Sequence, residues 1–292
     1  MSAQSSRQPV ERRRVLLGLL GYPIAHSAAP AMHEAAGDAH GLRTLYRLLE
    51  IPGLDAAGLR RVLNGVRELG FCGINVTFPY KEAVVPLLDD LAPAARSLAA
   101  VNTVLVREGR LIGHNTDTTG FEAALRAAFG QAVPSPVALL GAGGMGRAAG
   151  FALARLGLQV RVLDAAAGKA ARLAEDIAHA HAGAGIRVAA SLSDLLDGAA
   201  GLVNATPVGM LPNRDSPVPE RLLHPGLWVA DCVYNPLVTP LLSAARRVGA
   251  PTLTGRSLAL HQGYDAFRLF TGLPAPRAPD VMAAAFDAAV AK

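Results

Sequence analysis

Residues 137–164 carry glycines at the spacing that a dinucleotide phosphate requires. An apolar run, Val137-Ala-Leu-Leu140, leads into Gly141-Ala142-Gly143-Gly144-Met145-Gly146. A helical stretch follows, and then a second apolar run, 159–163, that ends at Asp164. The first glycine permits a tight turn, the second lets backbone approach a pyrophosphate, and the third allows helix and strand to pack closely. The helix beginning near Met145 offers unpaired N–H groups and the positive end of its dipole to phosphates. Asp164, at the tip of the second strand, is placed to accept hydrogen bonds from the adenosine ribose, and its charge would repel a 2′-phosphate. The pattern predicts an NAD site that disfavours NADP.

The other residues able to do polar chemistry are gathered in a few short segments. In the first half these are Asn75-Val-Thr77-Phe-Pro-Tyr-Lys81, Asn102-Thr103 and His114-Asn115-Thr116-Asp117. In the second they are Asn204-Ala-Thr206-Pro207 and Asp231-Cys-Val233-Tyr234-Asn235-Pro236. Most follow a run with strand character, and ligands of open α/β sheets sit outside the carboxyl ends of strands. Two sets of such loops facing each other describe a cleft between domains. Histidine and cysteine show no metal-ligand spacing, so no metal is expected.

These loops need a frame, and the hydrophobic pattern supplies one. In the first half it predicts strands over 15–20, 44–49 and 73–76, and helices over 30–40, 54–69 and 79–88. A hairpin is expected over 100–106 and 110–113, turning at Glu108-Gly109. Residues 118–129 read as a linking helix. Beyond the second apolar run, strands are expected over 186–189, 201–204, 228–232 and 251–253. Helices are expected over 173–181, 192–197, 240–248, 258–270 and 279–291. The alternation specifies an α/β chain with two open α/β domains, the second a Rossmann dinucleotide-binding fold, and an active site in the cleft between them. Leu260, Tyr264, Phe267 and Phe270 would bring the 258–270 helix back onto the first domain. The expected division is therefore a disordered tail over 1–14, one domain over 15–117 plus 256–292, and the Rossmann domain with its linking helix over 118–255.

Composition bounds the function classes. Of 292 residues, 51% are hydrophobic and 17% charged, which suits two globular domains. The net charge is +5, but four arginines against one glutamate put +3 of it in the first fourteen residues. The weakly basic remainder, with no aromatic-plus-basic stripe, does not argue for nucleic acid. No apolar run approaches a membrane span, and Cys72 and Cys232 read as free thiols of a reducing cytoplasm. A cytoplasmic monomer or homodimer is expected.

Seven segments, in order between about residues 15 and 273, resemble the shikimate/quinate dehydrogenase family. They are Gly21-Tyr-Pro-Ile-Ala-His-Ser27, Asn75-Val-Thr-Phe-Pro-Tyr-Lys81-Glu82, Ala100-Val-Asn102-Thr103, Asn115-Thr-Asp117, Gly141-Ala-Gly-Gly, Asn204-Ala-Thr-Pro207 and His261-Gln262-Gly-Tyr-Asp-Ala-Phe. The resemblance implies a substrate-binding first domain and reversible oxidation of a ring hydroxyl on a cyclic polyhydroxy carboxylic acid, shikimate or quinate. The product is the 3-dehydro ketone, with hydride transfer to NAD(P). Such a reaction needs a group to take the hydroxyl proton as the carbonyl forms. Lys81 and Asp117 are implied in that role, and which of them relays the proton is left open. Asn102 would bond ring hydroxyls, Gln262 would add a polar contact from the final helix, Ser27 and Thr77 would hold the carboxylate, and Tyr234 would close over it. Thr206, Pro207, Val233 and Gly255 join the glycine turn as implied cofactor contacts.

Two departures from the family pattern matter. Many members carry a second hydroxyl residue two positions after the first serine, where this chain has Ala29. Losing a hydrogen bond to a charged group costs about 1.5–3 kcal/mol, so a weaker carboxylate grip or an altered choice between acids is expected. NADP-using members have Asn-Arg-Thr after the second nucleotide-domain strand; here it is Asp164-Ala165-Ala166, and only Lys169 and Arg172 lie further along. With Arg268-Leu-Phe-Thr-Gly272, this resembles the NAD-linked quinate/shikimate dehydrogenases. The alternatives are a dehydrogenase of an amino-substituted analogue, which Ala29 keeps open, and a non-catalytic cyclic-acid sensor, against which the intact Lys81/Asp117 pair speaks.

Overall fold

Val15, Leu17, Leu19 and Leu20 are all buried, and β1 (Arg14–Gly21) is an inner strand of the first sheet. The computed structural model describes residues 12–273 and 279–291, so residues 1–11 of the expected tail lie outside the described residues. Arg14 belongs to β1, and the Arg13 carbonyl accepts the Arg43 N–H, so strand pairing reaches into the segment read as tail.

The first half continues through α1 (Ala29–Ala39), β2 (Arg43–Glu50), α2 (Ala56–Glu68), β3 (Gly73–Val76), β4 (Asp90–Leu91), α3 (Pro93–Leu98), β5 (Thr103–Arg107), β6 (Arg110–His114) and α4 (Asp117–Phe129). Its sheet runs β2-β1-β3-β5-β6-β4. The three leading strands are parallel, while β5 and β6 form an antiparallel hairpin. Glu108 and Gly109 turn that hairpin with φ of 52° and 71°, the left-handed pair that a tight hairpin turn demands.

The helix expected over 79–88 does not form. Residues 81–84 are turns and only Val85–Leu87 makes one 3-10 turn. Pro86 has no N–H for a helical bond and its ring opposes the carbonyl four residues earlier. Tyr80 is also tied elsewhere, donating to the Ile51 carbonyl at 2.6 Å and accepting the Leu54 N–H at 3.1 Å.

The second half comprises β7 (Val137–Leu140), α5 (Gly144–Arg155), β8 (Val160–Leu163), α6 (Ala167–Ala180), β9 (Ile186–Val188), α7 (Leu192–Leu196), β10 (Gly201–Asn204), β11 (Trp228–Asp231), α8 (Pro240–Arg247) and β12 (Thr252–Leu253). Its sheet is parallel throughout, ordered β12-β11-β10-β7-β8-β9. This is the doubly wound Rossmann order, and its switch point lies between β7 and β10, where ligands of such sheets bind. The chain then forms α9 (Gly255–Thr271) and α10 (Pro279–Val290). Phe267, Phe270, Met282 and Phe286 from these helices share one core with Leu17, Leu19 and Tyr46 of the first sheet.

Candidate active site

Asp117 opens α4, but it does not cap it. Asn115 accepts the backbone N–H of Asp117 at 3.0 Å and of Thr118 at 3.3 Å, and donates to the Ala100 carbonyl at 3.0 Å. The Asp117 carboxylate is thereby free, in the first helical turn where the dipole favours an anion. It reaches Lys81, with Nζ to Oδ2 at 2.6 Å, in a pair whose side chains are 15% and 7% exposed. The Lys81 carbonyl accepts the Val101 N–H at 2.8 Å, which binds the irregular 77–84 segment to the loop that carries Asn102.

Lys81 also touches the other half of the molecule. A methyl on Gly144 would come within 3.0 Å of Lys81 Cβ and 3.1 Å of its Cδ, so the lysine stem runs along the start of α5. Cys232, just past β11, stands in the same field. Burial pushes its thiol well up, the Asp231 and Asp117 carboxylates add to this, and Lys81 opposes it.

The other residues expected at the substrate are each held by partners of their own. Asn102 is buried, donating to Thr116 Oγ1 at 2.9 Å and accepting the Thr116 N–H at 2.8 Å. Gln262, on α9, faces Thr116 Oγ1 at 3.5 Å and donates to the Ala259 carbonyl at 3.0 Å. Ser27 accepts the Ala29 N–H at 3.3 Å and shares a hydrogen bond with the Tyr234 phenol. Tyr234 comes from the loop after β11 and packs on Phe286 at 5.7 Å, so it bridges the two halves. Thr77 follows β3 with its N–H on the Leu20 carbonyl and its methyl against Gly21. There is no helix after Pro79 for it to cap.

The glycine turn has the shape a pyrophosphate needs. Gly141 sits at φ +93°, and a Cβ on Gly146 would lie 2.0 Å from the Gly141 carbonyl oxygen, so neither position takes a side chain without movement. A Cβ on Gly143 would meet nothing within 4 Å, which leaves its backbone open to a ligand at the N-terminus of α5. Asp164 holds the turn, with Oδ2 accepting the Ala142 N–H at 2.7 Å and Oδ1 the Ala166 N–H at 2.8 Å. Met145 lies against the core of this half. Thr206 places its methyl against Gly141 and spends both its N–H and its hydroxyl on Asn204 Oδ1. The Pro207 carbonyl accepts the Met210 N–H, and Val233 meets Gly255 where a Cβ on the glycine would lie 2.6 Å from the Val233 oxygen. These residues fit a dinucleotide.

Several contributors were not legible from spacing. Asp231 is buried and accepts from Thr239 at 2.6 Å, Asn204 at 3.0 Å and the Val233 N–H at 3.0 Å. Burial nevertheless raises its carboxyl to about 6. Arg147, one turn into α5, is buried and bonds the Leu98 carbonyl and Asp176, fastening α3 to α5 and α6. Its place in the glycine-turn helix was the available signal. Asn75, Thr103 and Thr116 bond Asn102, with Tyr46 bonded to Asn75 behind them, and only the polarity of their segments marked the first three. Among the described residues no group of three or more His, Cys, Asp or Glu could hold a metal ion. No helix among them is long and apolar enough to cross a membrane.

Residues 19–104 match the family model described as the shikimate dehydrogenase substrate binding domain. The chain is 46% identical over 273 residues to a shikimate dehydrogenase (NADP(+)) of Streptomyces avermitilis, covering 91% of this chain and 92% of that one. It is 44% identical over 274 residues to a quinate/shikimate dehydrogenase (NAD(+)) of Corynebacterium efficiens, covering 91% and 95%. Among solved structures, it resembles a quinate dehydrogenase from Corynebacterium glutamicum in complex with NAD. That match has a TM-score of 0.86 and 40% identity, and covers 95% of this chain and all of the other.

Proposed function

The chain belongs to the shikimate/quinate dehydrogenase family, and we propose that within it this protein prefers NAD, with Lys81 and Asp117 at the reacting alcohol. It is an oxidoreductase that reversibly oxidises a ring hydroxyl of shikimate or quinate to the ketone. The observation that carries the site reading is the 2.6 Å Lys81–Asp117 pair, whose lysine stem lies on the first residue of α5. The proton-handling groups of one half thereby adjoin the dinucleotide turn of the other.

The turn Gly141–Gly146, with Asp164 and the loops at Thr206-Pro207 and Val233, would hold the dinucleotide, and its nicotinamide when bound supplies hydride acceptance. The chain's own residues do the rest. Asp117 accepts one Nζ proton and aims the ammonium, leaving Lys81 two further donors for a substrate oxygen. When the ketone is reduced, this ammonium supplies the proton to the carbonyl oxygen; when the alcohol is oxidised, the hydroxyl proton goes to the Asp117 carboxylate or to Lys81 in its neutral form. Low exposure of both groups keeps competing water away. Ser27 and Thr77 are the hydroxyls for the substrate carboxylate, with Tyr234 beside Ser27. NAD preference is supported by the carboxylate at 164 and by alanine at 165, where NADP-using relatives of the pattern place arginine. Two free thiols support a cytoplasmic location.

The test crosses shikimate and quinate with NAD and NADP for the parent and Lys81→Ala. The parent should turn over one of the acids with NAD faster than with NADP. The variant should lose turnover by about a hundredfold or more while binding NAD within twofold of the parent. Equal turnover in both proteins would remove Lys81 from the mechanism.

A further inference from the structure

Five polar side chains of the first half form one hydrogen-bonded chain that runs through Asn102, the residue placed at the ring hydroxyls. Tyr46 donates to Asn75 Oδ1 at 2.8 Å, and Asn75 Nδ2 to Thr103 Oγ1 at 3.0 Å. Thr103 donates to Asn102 Oδ1 at 3.0 Å, and Asn102 Nδ2 to Thr116 Oγ1 at 2.9 Å. A longer contact of 3.5 Å continues from Thr116 to Gln262 Oε1. Every member from Tyr46 to Thr116 is buried, with exposures between 0 and 7%.

The direction of this chain is not arbitrary. An amide can be turned end for end, but each amide here bonds a backbone group that acts in only one sense. Asn75 Nδ2 also donates to the Asn102 carbonyl at 3.1 Å, the Thr116 N–H donates to Asn102 Oδ1 at 2.8 Å, and Gln262 Nε2 donates to the Ala259 carbonyl at 3.0 Å. Asn102 Oδ1 therefore receives two donors. One Nδ2 proton goes to Thr116, and the second is the valence left for a ligand.

We infer that Tyr46, Asn75, Thr103 and Thr116 are positioning residues that make Asn102 solely a hydrogen-bond donor, so the ring substituent it meets must be an oxygen acceptor and not an ammonium. The inference rests on the proposed placement of Asn102 at the ring hydroxyls. A hydroxyl satisfies the geometry by accepting from Asn102 and giving its own proton elsewhere. A protonated amine has no lone pair and cannot accept from the Asn102 donor. Such a donor-only asparagine discriminates an amino-substituted analogue from the parent acid, because a site built to donate leaves its buried group unpaired when the partner cannot accept.

Thr103→Val keeps the shape and deletes the hydroxyl between Asn75 and Asn102. It should raise the KM and the calorimetric Kd for the acid about tenfold, with kcat and the KM for NAD within twofold of the parent. Thr103→Ser should restore the acid constants, and Tyr46→Phe should raise them about threefold with the same split. Acid constants within twofold of the parent in Thr103→Val, or a loss spread equally over kcat and both substrates, would overturn the positioning role. Should Thr103→Val fail to melt cooperatively, two measurements decide. One is the Tyr46→Phe split. The other is the affinity for an acid whose hydroxyl is replaced by an amine, expected to be at least about tenfold weaker in the parent and to gain relative to the acid in Asn102→Asp. Equal affinity of the parent for amine and hydroxyl overturns the inference. A parent that bound neither acid would remove the functional reading itself, a result distinct from all of these.

Discussion

Asp164 holds the glycine turn and, in the function proposed above, would also select the cofactor that binds there. Both of its oxygens accept backbone N–H groups, from Ala142 in the glycine turn and Ala166 beyond the strand. Each oxygen keeps a lone pair, and the full charge stays at the strand tip. Asp164→Asn retains the size and one acceptor while removing the charge. The ratio of kcat/KM with NADP to that with NAD should rise about tenfold or more, equivalent to about 1.4 kcal/mol. Steady-state rates with both cofactors check it, and an unchanged ratio would mean that residue 164 does not discriminate. This position was legible because strand, turn and terminal acid lie within 28 residues of chain. The Lys81–Asp117 pair was legible only through two separate motifs, since nothing in spacing says that residues 36 apart will meet. Asn115 and Asp117 are both good capping types, and only the folded chain shows which caps and which is released. Tyr46 was invisible as a site residue, because its bond to Asn75 spans 29 residues and its sequence context is a plain strand.

At the scale of elements, α5 is held by two adjacent residues of its first turn. Gly146 packs on the Gly141 carbonyl, and the next residue, Arg147, is buried between the Leu98 carbonyl and Asp176. A methyl at 146 cannot be relieved by sliding the helix without breaking the arginine's bonds to α3 and α6. Gly146→Ala should cost about 1–3 kcal/mol of stability and weaken NAD binding by more than about tenfold, read by thermal melts and calorimetry. NAD affinity within twofold of the parent would show that the turn opens freely. The same contrast between local and tertiary forces explains which elements the sequence disclosed. Helices with sustained apolar period, such as α2 and α9, and the short buried strands of the second sheet follow their patterns closely. The 79–88 segment carried a proline in a first-turn position, a helix-start signal, yet Pro86 and the Tyr80 anchor override it. Helix α3 is six residues long, too short to display a period, and it exists by packing on its neighbours. Helix α6 begins six residues earlier than the apolar pattern suggests, because its first turns are alanine-rich and alanine favours helix without marking a face.

Across the whole molecule, each half buries one group whose ionisation opposes the other's. His33 lies under the first sheet, stacked on Tyr46 at 4.9 Å with Nδ1 unpartnered, and burial lowers its imidazole to about 3. The unfolded chain takes that proton near pH 6.5, so stability contributed by neutral His33 is present above that pH and is lost as pH falls toward 3. Asp231 ends β11 in the second sheet, and burial raises its carboxyl to about 6 even though three donors oppose the shift. Its unfolded value is near 4, so native Asp231 holds a proton that the unfolded chain has released between those values. Stability from this group is gained as pH falls through 6 and lost as it rises again. Between about pH 6 and 4 the two contributions therefore offset one another, and each should emerge when the other is removed. Relative to the parent, His33→Phe should gain about 2 kcal/mol between pH 7 and 5, the interval over which His33 costs the parent most of that amount. Asp231→Asn should lose about 1–2 kcal/mol relative to the parent over the same interval, because it cannot acquire the proton that favours the native carboxyl. Urea unfolding of all three proteins at pH 5, 6 and 7 reads both differences. Opposite slopes follow from one buried cation-former and one buried anion-former in separate cores, whereas two flat differences would mean that water reaches both groups in the native state.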